Sequence, residues 1–376
     1  MRNFCIPTAL QIDLDDIGWF NGADDRQNGG PSRTGVGRRH CAKDYLALDE
    51  LGRRLGMRIN CGFVAGEWDP DNRLRPIPHL SKYGDKWDNA AYFDAAEAAR
   101  CADVLNCSSH IDLALHALSH GYYKSSVDSH DISDFYYREN KVYHMVPRQE
   151  VRARLDAFFD LLQHHGIQKK IHSFIPPSAA YRLEELSHVL KEYGIRYVGT
   201  IYARLKPQPH VTPKKEITVE SSGVITYERT HNPIPWDRFG ADWEDLPPLS
   251  GLVGLHWPNI LHEDPERNIE CVERAATYFL RCADRFGTVM SQDVSCYVTQ
   301  TLYRRFARVR TLFGCVRIDL SRLPRMQGAG EGFFVSSKKE ITSCLGAATI
   351  TERERKAGFI NYYVVPKAKI VKLRFK

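Results

Sequence analysis

Apolar and polar residues alternate along residues 9–15, and this two-residue period predicts a β-strand near the N-terminus. The strand should end at Asp16, because Gly18 and the residues after it favour a turn. Asp15 and Asp16 are therefore expected side by side at the C-terminal end of this first strand. Adjacent carboxylates repel each other unless a cation, a proton or a fixed hydrogen-bond donor offsets the repulsion. An Asp-rich surface turn is the structural alternative.

Further strands alternate with helices along the first 310 residues. Hydrophobic spacing predicts helices over residues 44–55, 89–105, 151–165, 183–193, 268–286 and 297–308. Short apolar runs predict strands over residues 58–64, 111–116, 170–174, 197–201, 252–256 and 288–291. This alternation predicts an α/β fold built on a parallel sheet or barrel. In such folds the functional site forms at the C-terminal ends of the strands.

Two regions depart from this alternation. Residues 203–250 are rich in proline and contain one β-like piece, so we interpret them as an insertion near the mouth of the barrel. Residues 311–376 contain short β segments without helices between them, which predicts a small β-rich C-terminal domain. The expected organisation is a catalytic barrel over residues 1–310 and an accessory domain over residues 311–376. The accessory domain offers a surface for homo-oligomerisation.

Composition narrows the class of protein. The 376 residues carry a formal net charge of +6, with basic and acidic residues interspersed, so no nucleic-acid partner is expected. No apolar run reaches membrane-spanning length, and charged residues follow the N-terminus too closely for a signal peptide. We therefore expect no membrane partner and a cytoplasmic location. None of the ten cysteines forms a Cys-x-x-Cys pair, which favours buried thiols in a reducing compartment.

A His-x-x-x-His pair, His116 and His120, stands at the end of the strand predicted over residues 111–116. Such a pair is a weak signal by itself, since packed histidines are common. Its position strengthens the signal, because the ends of parallel strands converge and would bring the pair near the two aspartates. Two imidazoles and one carboxylate with open positions suit Zn²⁺ or a similar divalent cation. Such an ion lowers the pKa of its bound water towards roughly 7.

Other candidate residues also follow predicted strands. His256 ends the strand over residues 252–256 and is a candidate general acid, with a strand-capping role as the alternative. Aromatic rings near strand ends suit stacking on a sugar, although a single aromatic is more often part of the core. The candidate substrate-binding residues are three such aromatics and one further carboxylate: Trp68, Tyr123, Trp257 and Asp13.

Four stretches together resemble the polysaccharide deacetylase, or NodB-type, superfamily. Residues 14–16 (Leu-Asp-Asp) resemble its Thr-Phe-Asp-Asp-Gly motif, and residues 116–120 resemble its His-Ser-x-x-His motif. Residues 174–177 (Phe-Ile-Pro-Pro) resemble its Arg-x-Pro motif, and residues 254–256 (Gly-Leu-His) resemble its Leu-x-His motif. The matches are short, but they follow the order of the family motifs. The resemblance implies a distorted (β/α) barrel with seven strands.

The resemblance also implies a role for each matching residue. Asp15 would be the general base that deprotonates the attacking water. Asp16, His116 and His120 would hold the metal ion, which would polarise the acyl carbonyl. His256 would protonate the leaving amine.

Three departures from the family pattern affect this site. Ile17 replaces the glycine after the aspartates, which changes the turn. Asp13 replaces the usual threonine and shares a strand face with Asp15, where it could compete for a proton or a cation. Ile175 stands at the usual arginine position of the third motif, and in the family that arginine helps to orient the base. The tuning of Asp15 is therefore open at this point.

The function expected first is that of a metal-dependent hydrolase that removes an N-acyl group, such as acetyl, from a sugar, a polysaccharide-like substrate or a small sugar amide. One alternative is a carbohydrate-binding protein without catalysis on the same barrel. A second is a glycoside hydrolase that uses Asp15 and an acid from another strand. An Fe(II) oxygenase also uses two histidines and a carboxylate, but it leaves Asp15 and His256 unexplained.

Overall fold

The computed structural model of the chain describes residues 3–20, 38–81, 83–124, 133–139, 142–202, 216–312, 314–324 and 330–376. The chain divides into two compact units. The larger unit comprises Ile12–Leu246 and Val253–Thr277, and the smaller unit comprises Met1–Gln11, Pro247–Leu252 and Tyr278–Lys376. The domain boundary expected at residue 310 stays a prediction, because compactness alone does not show which part folds by itself.

Strands and helices alternate through the first part of the chain, as the hydrophobic pattern predicts. The α-helices among the described residues are α1 (Ala42–Leu55), α2 (Ala95–Cys107), α3 (Arg148–His164), α4 (Ser187–Glu192), α5 (Asn268–Ala283) and α6 (Val294–Phe306). The first twelve strands are β1 (Phe4–Cys5), β2 (Thr8–Ile17), β3 (Ile59–Val64), β4 (Ile111–Ala117), β5 (Tyr136–Glu139), β6 (Val142–Met145), β7 (Ser173–Phe174), β8 (Tyr197–Thr200), β9 (Ile217–Val219), β10 (Ile225–Glu228), β11 (Gly251–His256) and β12 (Thr288–Met290). The remaining strands are β13 (Arg308–Leu312), β14 (Cys315–Asp319), β15 (Phe333–Ser337), β16 (Ile341–Leu345), β17 (Ala347–Lys356), β18 (Phe359–Pro366) and β19 (Ile370–Phe375).

Capping side chains set the first residues of two helices. Helix α2 begins after Asp94, whose carboxylate accepts a hydrogen bond from the Glu97 N–H at 3.0 Å, whereas its predicted start was residue 89. Helix α6 begins after Asp293, whose carboxylate accepts from the Cys296 N–H at 2.7 Å. Aspartate is a favoured residue at this position because it satisfies a backbone donor that the helix leaves free. Among the described residues, no helix has both the length and the apolar character needed to cross a bilayer.

The largest sheet has the strand order β11-β2-β3-β4-β7-β8-β10-β9, with β12 beside β2. Its neighbours from β2 through β10 pair in parallel, and β9 is antiparallel to β10. A parallel bridge between His231 and Val253 then links the chain after β10 to β11, at the other end of the strand order. The protein therefore has a mixed α/β fold with a barrel-like sheet, which confirms the predicted fold class in its coarse form.

The segment 203–250, expected to be an insertion, contributes to the sheet. Residues 203–215 lie outside the described residues. Strand β10 pairs with β8 in parallel along its whole length, from the Ile225–Tyr197 pair to the Glu228–Thr200 pair. The β-like piece at residues 223–229 was predicted, but its proline-rich flanks led to its assignment to an insertion instead of the main sheet.

The smaller unit contains two antiparallel four-stranded sheets with the orders β1-β15-β18-β17 and β13-β14-β19-β16. Burial alternates along β14 and β19, whereas all of β15 is buried, and the strands share one apolar core that includes Val316, Ile318, Phe333, Val335, Val371 and Leu373. The β-rich character expected for residues 311–376 is present, whereas β13 and β14 were not predicted.

Within the larger unit, the buried carboxylate of Asp44 links the start of α1 to the start of α5. Asp44 is fully buried and accepts hydrogen bonds from Arg38 Nη1 and Nη2 at 2.9 and 2.8 Å, from the Cys41 N–H at 2.9 Å and from Asn268 Nδ2 at 2.8 Å. Burial alone would raise the pKa of Asp44, but Arg38 and His40 hold it well below its usual range. The carboxylate is therefore charged and paired in the folded state.

An Asp44→Ala variant is expected to lose about 3 kcal/mol of unfolding free energy at neutral pH, because it leaves several donors without their shared acceptor. A carboxylate with a lowered pKa stabilises the fold above its unfolded pKa of about 4, and this contribution is lost as the pH falls. Urea unfolding at several pH values should show the gap between wild type and variant shrinking below about pH 4. Glu50→Gln, which removes a partly exposed surface partner of Arg53 and Arg54, is the control and should change stability much less than Asp44→Ala.

Candidate active site

The carboxylates of Asp15 and Asp16 lie at the end of β2, where the regular strand geometry is interrupted. The pairing of β2 with β3 shifts register between Leu14 and Ile17, and Asp16 has a φ of 70°. A left-handed backbone is unusual for a residue other than glycine. Asp15 and Asp16 both stay nearly buried at this turn, with exposed fractions of 7% and 9%. The predicted acidic strand end is therefore present, and its backbone is bent at Asp16.

The end of β4 is shaped in a similar way. The pairing of β3 with β4 shifts register between Phe63 and Val64, and His120 has a φ of 57°. His116 is buried, and its Nδ1 lies 2.5 Å from the carbonyl oxygen of Ile175. A proton on Nδ1 makes this hydrogen bond and leaves the Nε2 lone pair of His116 available as a ligand.

Asp16, His116 and His120 converge, as their positions at strand ends predict. Asp16 Oδ1 lies 3.3 Å from His116 Nε2 and 3.6 Å from His120 Nε2, and the three ligand atoms all lie within 4.8 Å of one another. Two imidazole nitrogens and one carboxylate oxygen suit zinc or a related divalent cation, with further positions left for water or substrate. The three residues therefore fit a metal ion, while its identity stays a prediction.

The charges around this cluster favour ionised Asp16. Burial by itself would raise the pKa of Asp16, but the imidazoles of His116 and His120 lower it well below its usual range. Burial would lower the pKa of His116, and the neighbouring Asp16 raises it overall. The carboxylate is thus charged at neutral pH, as a metal ligand must be.

Asp15 faces a buried arginine that the sequence analysis missed. Arg229 Nη1 donates to Asp15 Oδ2 at 2.7 Å, and the Arg229 side chain is only 3% exposed. The pKa of Arg229 is raised, because the charges of Asp15 and Asp13 outweigh the effect of burial. His256 Nε2 lies 3.7 Å from the same Asp15 oxygen. Asp15 Oδ1 makes no hydrogen bond among the described residues, so it is the oxygen left to accept a proton.

Space for the Arg229 guanidinium depends on a glycine in β11. A Cβ on Gly254 would lie 2.2 Å from Arg229 Nη2 and 2.4 Å from Asn232 Oδ1, both far below van der Waals contact. Glycine at this position therefore lets the arginine approach Asp15 between neighbouring strands. The signal in the sequence was the arginine that ends the β-like piece 223–229, which was assigned to an insertion.

Ile175 contributes through its backbone. Its carbonyl accepts from His116 Nδ1, and its N–H donates to the Leu115 carbonyl at 2.9 Å. The third motif thus fixes the orientation of a predicted metal ligand, while the guanidinium beside Asp15, the predicted base, comes from Arg229. Arg229 thus contacts Asp15 although Ile175 stands at the arginine position of the third motif.

Asp13 lies inside the barrel, away from solvent. It is fully buried and accepts from Asn60 Nδ2 at 2.8 Å and from the Tyr227 hydroxyl at 3.3 Å. Asn60 in turn accepts from the Ser173 hydroxyl at 2.6 Å. Burial raises the pKa of Asp13 to about 7, although Arg229 opposes this shift. The side chain is part of a buried polar network, which explains its presence without a ligand and argues against substrate binding.

The predicted stacking aromatics are buried as well. Trp68 packs against Phe20 and Phe63, and its Nε1 donates to the Gly18 carbonyl at 2.9 Å. Trp257 is stacked on His40 with ring centroids 3.8 Å apart. Both Trp side chains are at most 1% exposed, so they serve as core residues in this structure. Tyr123 is 6% exposed and its role in substrate binding stays a prediction.

A second residue that was missed holds the loop before His120. Asp134 is fully buried, and its Oδ1 accepts from the N–H groups of Leu118 and Ser119 at 3.2 and 3.1 Å. The Ser119 hydroxyl donates to the Leu80 carbonyl at 2.6 Å. These bonds position the left-handed turn at His120.

No protein-family model matches the chain, and no curated protein sequence matches it. It is similar to the solved GH57-type branching enzyme of Pyrococcus horikoshii, with 13% identity, a TM-score of 0.38, and coverage of 78% of this chain and 64% of that chain. A GH57 branching enzyme of Thermococcus kodakaraensis gives 15% identity, a TM-score of 0.35, and coverage of 81% and 70%. A Mycobacterium smegmatis protein described provisionally as a polysaccharide deacetylase has 11% identity and a TM-score of 0.32. The match covers 79% of this chain and 80% of that chain. These likenesses are too weak to carry a functional argument, and the chain spans 64% of the first structure's length.

Proposed function

We propose that the protein is a metal-dependent hydrolase that removes an acyl group from an N-acylated sugar. The observation that carries the proposal is the convergence of Asp16, His116 and His120 beside Asp15. The choice of an N-acylated sugar rests on the order of the sequence motifs. We also propose that the barrel is of the NodB type. Seven strands, from β11 through β10, are neighbours in one sheet, and the His231–Val253 bridge links the two ends of this series.

Each residue has a distinct task in this reaction. A divalent cation bound by Asp16, His116 and His120 would polarise the acyl carbonyl and lower the pKa of a coordinated water. Asp15 accepts the proton of the attacking water at Oδ1, while Arg229 donates to Oδ2 and holds the carboxylate in place. His256 donates a proton to the leaving amine. Its side chain is 24% exposed, against 9% for Asp15, so it can meet a substrate that enters from solvent.

A glycoside hydrolase fits the site less well. That reaction needs two carboxyl groups that flank the bond, one of them a protonated acid with a raised pKa. The carboxyl near Asp15 with a raised pKa is Asp13, and it is fully buried in the polar network with Asn60 and Tyr227. Asp16 has a lowered pKa and lies between two imidazoles, which suits a ligand better than an acid.

Metal content tests the proposal directly. Wild-type protein purified with added Zn²⁺ should hold about one divalent ion per chain, whereas His116→Ala should hold much less, because it removes one of the donors. His164→Ala, which removes an exposed histidine of α3, is the matched control and should keep the wild-type content. Elemental analysis measures all three proteins. A wild type without bound metal would contradict the proposed mechanism.

Activity separates this function from carbohydrate binding alone. A panel of N-acetylated mono- and oligosaccharides should release acetate with the wild type and none with His116→Ala. If the wild type holds the metal and binds these sugars but releases no acyl group, the hydrolase proposal fails. The non-catalytic binding protein is then the better description.

A further inference from the structure

The sheet β13-β14-β19-β16 of the smaller unit has one apolar and one cationic face. Val316, Ile318, Val371 and Leu373 point into the core and are fully buried. Because side chains alternate along a strand, the residues between them lie on the opposite face. That face carries the basic side chains Arg308, Arg310, Arg317, Lys372 and Arg374, with Asp319 as its acidic residue among the described positions.

Strand register aligns three of these cations in one row. Arg310 pairs with Arg317 across β13 and β14, and Arg317 pairs with Lys372 across β14 and β19. Neighbouring strands lie about 4.8 Å apart, so the three charges stand on adjacent strands. Like charges directly opposite each other in a sheet are destabilising. Leu345, which is 56% exposed, continues the row on β16.

These cations form no close ion pair within the described part of the chain, and Asp319 is the carboxylate whose charge acts on Arg308 and Arg317. Arg308, Arg310, Arg317, Lys372 and Arg374 form no ion pair with a described residue, whereas exposed arginines elsewhere, such as Arg152 and Arg267, pair with glutamates. In the row itself no position holds a carboxylate. The face therefore carries five basic side chains against Asp319 alone among its described positions, and a polyanion would offset the remaining repulsion.

We propose that this cationic face binds an anionic polysaccharide. The polymer would lie along the row of Arg310, Arg317 and Lys372, so that charges repeated along its chain meet cations on successive strands. None of the described positions on the face is aromatic, so it lacks the rings on which single-stranded nucleic acids stack. The choice of a glycan among polyanions rests on the proposed function. The surface itself rests on the charges and the register.

Binding of polygalacturonate, an anionic polysaccharide, tests the inference with the full chain. The Asp15→Asn chain serves as the parent, so that binding is read without turnover and a failure of the proposed hydrolysis leaves the measurement intact. In this background, the triple variant Arg310→Gln/Arg317→Gln/Lys372→Gln should bind polygalacturonate at least about tenfold more weakly at low salt. Added salt should lower the affinity of the parent more than that of the variant. The triple variant should unfold at the same or a higher temperature, because it loses like-charge repulsion.

The control changes the same charges elsewhere. Lys170→Gln/Arg196→Gln/Arg353→Gln also removes two arginines and one lysine at exposed positions and should bind as the parent does. Equal losses in both triple variants would overturn the inference, because net charge alone would then explain binding. Tighter binding of duplex DNA, or of vesicles of phosphatidylcholine and phosphatidylserine, at the same concentration of charge would overturn it as well. Neutral dextran should not bind.

Discussion

An Asp15→Asn variant is expected to keep its divalent cation and to lose about 10³-fold in kcat/KM, because the amide cannot accept the proton of the attacking water. The metal should stay, since Asp16, His116 and His120 are the proposed ligands and Asp15 is not one of them. Arg229 can still donate to the amide oxygen of the new side chain, so the fold should change little. Acetate release and metal content, measured on the same preparation, check both parts.

The control for this variant is Asp103→Asn, the same change at an exposed position of α2, which should leave rate and metal content unchanged. Loss of metal from Asp15→Asn would show that Asp15 is a ligand. Full activity with metal retained would remove Asp15 from the mechanism and shift the role of base to another group.

The second large effect is expected from Arg229→Met, which should lower kcat/KM by about 10²-fold and the unfolding free energy by about 3 kcal/mol. The change leaves the nearly buried Asp15 and the fully buried Asp13 without their cation. Loss of that charge disfavours ionised carboxylates, so the acidic limb of the pH–rate profile should move to higher pH. Urea unfolding and rates across the pH range provide both measurements.

Gly254→Ala separates the position of Arg229 from its charge. The substitution keeps every polar group, but its Cβ would collide with Arg229 Nη2 and Asn232 Oδ1. The guanidinium must then move from Asp15, and kcat should fall while the metal content stays at the wild-type level. If Gly254→Ala folds and keeps the wild-type rate, close contact between Arg229 and Asp15 is not needed for the reaction.

The parts of the site that could be predicted are those with local signals. Asp16 lies at the end of one strand and His120 follows another, both strands have apolar patterns that span only a few residues, and parallel pairing brings such strand ends together. The helix and strand order could be predicted for the same reason. The left-handed backbone of both residues, with φ values of 70° and 57°, was not predicted, because residues other than glycine rarely adopt it and neither residue type indicates it.

The missed residues act over long distances in sequence. Arg229 meets Asp15 across 214 positions, and a single arginine after a short strand has no periodicity that could reveal its partner. Asp134 holds the loop before His120 from a segment without regular hydrophobic spacing. The burial of Trp68 and Trp257 likewise depends on packing, because an aromatic ring serves a core or a binding surface equally well by type.

The separation of Asp15 from Arg229 also affects how the site is assembled during synthesis. The proposed metal ligands lie at residues 16, 116 and 120, whereas the guanidinium beside Asp15 belongs to residue 229 and the proposed general acid is residue 256, so both are synthesised later. The nascent chain can therefore contain all three proposed metal ligands before Arg229 is available to pair with Asp15. Metal binding and catalytic activity would thus arise at different stages of translation. Activity would require that β10 and β11, which carry the later residues, have paired with the rest of the sheet.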